Sequence, residues 1–172
     1  MNFHKLISER ESIRSYDKNR KIPEDTLIRI LDAGRLAPSA GNRQPWEFLL
    51  VSSKEMLQKI KPCYKAEWFQ NAPHILIVKG YRNKAWTRGD DGYNALETDL
   101  TIAMDHMILA AEFAEIATCW IAAFNPDILR RALGLKNNEE VFAITPLGYP
   151  MEGFQKKANK KRKPFEEMVK FI

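Results

Sequence analysis

Residues 35–51, RLAPSAGNRQPWEFLLV, join a helical pattern to an apolar run across a string of small and amide side chains. Upstream, Leu27, Ile28, Ile30, Leu31 and Leu36 recur at helical spacing, and Pro38 predicts the stop. Downstream, Trp46–Val51 reads as a buried strand. A helix that passes into a buried strand is the building unit of a mixed αβ fold, with helices on both sides of a sheet. Between the two lie Ser39, Ala40, Gly41, Asn42 and Gln44, hydrogen-bonding groups on a flexible backbone. Such a stretch is either a tight connection or a surface that grips a planar, polar ligand.

The same alternation continues in both directions. Phe3, Leu6 and Ile7 share a face of a short helix over 3–9. Pro23 suits the first position of the second helix, and Glu24 and Asp25 suit its positive end. A short helix is expected at 54–60, then a strand over 74–80 introduced by Pro73. Residues 81–94 are polar and rich in Gly and Asp, a surface loop or a lid with Trp86 and Tyr93 as candidate ligand contacts. The longest helical pattern, 95–114, is apolar on more than one face and so reads as central. A third strand is expected at 118–124 and a helix from Pro126 to Gly134. A fourth strand follows at 141–149. With no repeat and no low-complexity linker, residues 1–172 read as a single domain.

Composition narrows the function. Apolar residues make up 45% of the chain, enough for a soluble core, and no run approaches a membrane span. The N-terminus is charged and lacks an apolar signal core, which predicts a cytoplasmic protein. Cys63 and Cys119 form no C-x-x-C pair and read as reduced, with Cys119 in the core. Residues 155–172 hold seven Lys/Arg and two Glu, so the whole net charge of +5 sits in this tail. The tail is a solvated run, a nucleic-acid or membrane patch, or a clamp for a small anion.

There is no G-x-G-x-x-G, phosphate loop, H-E-x-x-H or G-x-S-x-G. His4, His74 and His106 lack metal-ligand spacing. No nucleophile, metal or acid–base pair is evident, so catalysis here needs a borrowed cofactor. Three segments suit an anionic, planar one. Arg10, Ser12 and Arg14 alternate, so in an extended segment they share a face fit for phosphate and carbonyl groups. The second segment is the opening stretch, and the third is KKRKP at 160–164.

Three blocks in series, 10–51, 105–124 and 147–169, resemble the nitroreductase family of flavin enzymes. The resemblance implies an α+β, three-layer αβα sandwich with a mainly antiparallel sheet, in an intertwined homodimer. It implies one FMN per subunit at the dimer interface. NADH or NADPH reduces the flavin, then an acceptor such as a nitroaromatic or a quinone takes its place, a ping-pong order. The competing readings are a flavin storage or sensor protein without turnover, and a nucleic-acid or membrane module built on the tail, which no RNA or DNA motif accompanies.

By this likeness, Pro38, Ser39, Ala40 and Asn42 reach the FMN held mainly by the partner chain, with Gln44 nearby. Arg10 and Ser12 face the phosphate end, and Arg14 the N1–O2 side of the ring. Arg162 and Lys160 reach the phosphate, Ala122 and Ala123 bring backbone amides to N5 and O4, and Glu11 gives a backbone contact. The sequence departs from the family at Glu115 and Ala117, where glycines are usual. A left-handed helix end without glycine is about 1 kcal/mol worse, so the turn differs or the position is strained.

Overall fold

The computed structural model describes residues 2–157 and 160–172. Among these, helices α1 (Phe3–Glu9), α2 (Glu24–Arg35), α3 (Lys54–Ile60), α4 (Glu67–Gln70), α5 (Leu96–Phe113), α6 (Pro126–Leu133) and α7 (Phe165–Met168) surround strands β1 (Trp46–Val51), β2 (His74–Tyr81), β3 (Ala117–Thr118) and β4 (Glu139–Gly148). The sheet is antiparallel throughout, in the order β1-β2-β4-β3.

β2 explains the layering. Successive side chains on a strand point to opposite faces, and over residues 75–78 of β2 both sets are apolar and buried. Ile75 and Ile77 join a cluster with Leu57, Ile60, Phe69 and Leu129 of α3, α4 and α6. Leu76 and Val78 join another with Ile30, Leu100, Met104 and Met107 of α2 and α5. The sheet therefore lies between two helical layers, the αβα sandwich expected. Gly80 lets α5 approach: a Cβ there would sit 2.6 Å from Cδ1 of Leu96.

Most elements lie where the side-chain pattern puts them. α6 is the clearest: Asn125 Oδ1 accepts the amides of Asp127 and Ile128, Pro126 opens the helix, and Gly134 ends it with a φ of 63°. The third strand is a correction. Instead of 118–124, β3 spans only Ala117–Thr118, and a lone bridge joins Ile121 to Ile144. At Cys119 the amide turns to the hydroxyl of Thr145, 3.1 Å away, so the ladder breaks there. α2 ends at Arg35, ahead of Pro38, and Pro23 is its cap rather than its first residue.

The turn after α5 settles the expectation at Glu115. The Ile116 amide donates to Ala111 O at 2.8 Å and the Glu115 amide to Glu112 O at 3.0 Å, a Schellman closure. It holds Glu115 at a φ of +60°, a left-handed conformation that L side chains avoid. Glu115→Gly is expected to stabilise the fold by about 1 kcal/mol, a rise of about 2–4 °C in the melting temperature. A thermal melt that moves down would show that the glutamate makes an offsetting contact.

Candidate functional site

The first segment runs extended from Arg10 and docks beside β3, where the Ile13 amide donates to Thr118 O at 2.8 Å. Ile13 and Tyr16 are buried and anchor it. Arg14, Ser12 and Arg10 all act on the Cys119 thiol. Burial pushes that thiol up, against the downward pull of Arg14, the Ser12 hydrogen bond and Arg10. The guanidinium of Arg14 also lies 5.8 Å from the Trp68 ring, against an aromatic floor of Tyr64, Trp68 and Phe69.

The thiols themselves are inert by this geometry. Cys63 is pushed up to about 11 by burial and Cys119 is raised too, so both stay protonated at neutral pH. Folded protein should not react with a disulfide reagent at pH 7. Both thiols should titrate only after unfolding, and rapid labelling of the native state would contradict the burial.

The basic tail returns to this segment. Lys157 N donates to both carboxylate oxygens of Glu11, at 3.2 and 3.1 Å, and Lys160 Nζ donates to Ile7 O at 2.6 Å. Burial, then repulsion from Arg10 and Arg162, holds the Lys160 ammonium below its ordinary pKa. No ion pair among the described residues offsets Arg10, Lys160 or Arg162. Cations that raise one another's energy in this way fit a bound phosphate, which would accept from all of them.

Beside the same segment, the chain after Cys119 has left the ladder. Ala122 and Ala123 are exposed, and their amides have no hydrogen-bond partner among the described residues. Ala123 also lines an open groove of about 680 Å³ with Tyr64, Lys65, Phe124 and Asn125.

The loop at 38–44 is elsewhere. The Ala40 amide donates to Asp99 Oδ1 at 2.9 Å, which fixes the loop at the N-terminal end of α5. The cationic cluster lies at the other end, near Glu112. Thirteen residue steps along the helix separate Asp99 from Glu112, about 20 Å. Within the loop, Ser39 Oγ accepts from Gln44 N at 2.9 Å, and the Gln44 side-chain amide folds back on Asn42. Gly41, Asn42 and Gln44 all have positive φ, and Trp86 packs on Gly41. Pro38 and Asn42 are exposed, and Ser39 and Ala40 half-buried.

Sequence reasoning missed three supports. Glu11 acts through its carboxylate on the tail, Trp68 lies under Arg14, and Asp99 holds the loop. Asp99 is 1% exposed, burial raises its pKa, and its Oδ2 has no partner among the described residues. Only the helical position of Asp99, polar in an apolar stretch, signalled it.

The family model described as the nitroreductase family matches residues 7–64 and 58–149. The chain belongs to the nitroreductase family. A nitroreductase family protein from Clostridium difficile 630 is 36% identical, with a TM-score of 0.90 over 99% of this chain and 98% of that one. A protein of Archaeoglobus fulgidus, provisionally named an NADH dehydrogenase/NAD(P)H nitroreductase, is 32% identical over 86% of this chain and 85% of its own. An FMN-dependent nitroreductase from Clostridium difficile R20291 is 25% identical, with a TM-score of 0.79 over 96% of each chain. This nitroreductase-family chain thus matches such relatives over nearly its whole fold. Among its described residues, no helix is long and apolar enough to cross a membrane.

Proposed function

We propose that the chain is a homodimeric FMN-dependent oxidoreductase. It draws electrons from NADH or NADPH and passes them to a nitroaromatic, quinone or similar acceptor in ping-pong order. The observation that carries this reading is the cluster of Arg10, Lys160 and Arg162, in no ion pair among the described residues, beside Arg14 and the amides of Ala122 and Ala123, which have no hydrogen-bond partner among them. Family membership and the FMN-dependent relative support it.

FMN, when bound, supplies the redox chemistry. The chain supplies the rest. Arg10, Lys160 and Arg162, with the Ser12 hydroxyl, hold the phosphate. Arg14 would supply a fixed cation to the N1–O2 side of the ring, and such a charge would favour the reduced flavin. The amides of Ala122 and Ala123 serve the N5–O4 edge, and their small side chains permit close approach. Glu11 lends a backbone contact.

A second copy is needed to complete the site. Pro38, Ser39, Ala40 and Asn42, with Gln44 behind them, sit about 20 Å along α5 from the cluster, so they serve the pocket of the partner. Exposed apolar side chains favour such pairing: Phe3 and Phe113 on the α1–α2–α5 groove, Leu36 at the end of α2, and Phe165, Met168 and Phe171 in the tail.

Purified protein should be yellow with one FMN per chain. Anaerobic mixing with NADH or NADPH should bleach the flavin band, and a quinone should restore it. Colourless protein that ignores added FMN would overturn the reading. Bound flavin that neither nicotinamide bleaches would leave a binding protein without turnover.

A further inference from the structure

We propose that Glu112 and Lys156 form a latch that holds the basic tail over the phosphate cluster, so that FMN affinity depends on a carboxylate outside the flavin contacts. The inference rests on the FMN reading above. Glu112 is the penultimate residue of α5 and its side chain is 5% exposed. A carboxylate so buried is stable only when paired. Its partner is the Lys156 ammonium, supplied by the tail 44 residues later. Directly after that anchor, the Lys157 amide donates to Glu11, and Lys160 then donates to Ile7 O. Each contact fixes the path of the chain just before Arg162.

The tail needs such anchors. Residues 154–157 and 160–164 belong to no helix or strand. Ordering an irregular segment costs conformational entropy at every residue. Without the latch, that cost falls on FMN binding; with it, the cations are already in place. Glu112 also attracts Lys160 across the site, against the repulsion of Arg10 and Arg162. Glu112 and Lys156 are therefore positioning residues that act through the tail.

Riboflavin separates this role from a general structural one, since it keeps the ring and lacks the phosphate. Full-length protein stripped of flavin is titrated with FMN and with riboflavin, as the parent, Glu112→Gln, Lys156→Met and the double variant. Each single change should weaken FMN about tenfold and riboflavin less than about twofold, and the double variant should match the weaker single, as for two residues of one pair. Unchanged FMN affinity in Lys156→Met, equal losses for both flavins, or additive losses in the double variant would each overturn the latch. Lys156 has a side chain 38% exposed, so Lys156→Met tests the idea even if Glu112→Gln does not fold. A parent that binds neither flavin would instead sink the FMN reading.

Discussion

Arg10→Ala combined with Arg162→Ala should weaken FMN binding by about two to four orders of magnitude, since each charge-assisted hydrogen bond contributes about 1.5–3 kcal/mol. The cluster makes this loss specific. Both guanidiniums depress the Lys160 pKa, so they repel it in the free protein. Removing them relieves the fold while it strips the phosphate of partners. The apo variant should therefore melt no lower than the parent, while its FMN titration collapses. In the parent, FMN affinity should also fall as salt is raised, because salt screens the attraction between the cations and the phosphate, and the variant should lose most of that salt dependence. An affinity unchanged by the double substitution would remove the phosphate assignment.

Phe69→Ala carries the largest expected cost to stability. Phe69 is 0% exposed, with Tyr64 edge-on at 5.5 Å and Trp68 at 6.2 Å between ring centroids. Truncating a buried Phe costs about 3–5 kcal/mol through lost transfer energy and the cavity left behind. For a chain of this size that lowers the melting temperature by about 10 °C. The damage should reach the site, because Arg14 rests on Trp68, and Trp68 rests on Phe69. FMN should therefore raise the melting temperature of the variant less than that of the parent. A drop of under about 2 °C would mean that α4 repacks freely around the gap.

The layered fold was legible because its signals are local. ILIV at 75–78 in β2 is apolar at every position because both faces are covered. Asn125, Pro126 and Gly134 punctuate α6 within a few residues. Arg10, Ser12 and Arg14 were legible as a face because alternation in an extended segment is also local. What escaped depends on distant partners. The apolar TCWIAAF pattern could not reveal that a threonine hydroxyl 26 residues on takes the Cys119 amide. Glu11 meets Lys157 across 146 residues, and Ala40 meets Asp99 across 59. α4 is a single turn of four residues, too short for helical periodicity to register.

The span of α5 has a genetic corollary. In the proposed dimer, a phosphate-defective subunit and a loop-defective subunit should each be inactive as homodimers, since every pocket in them would lack one half. After exchange, a mixed dimer holds one pocket with both defects and one with neither. Two inactive preparations, blended and allowed to reassort, should then regain colour and turnover at a quarter of the pockets for equal, random mixing.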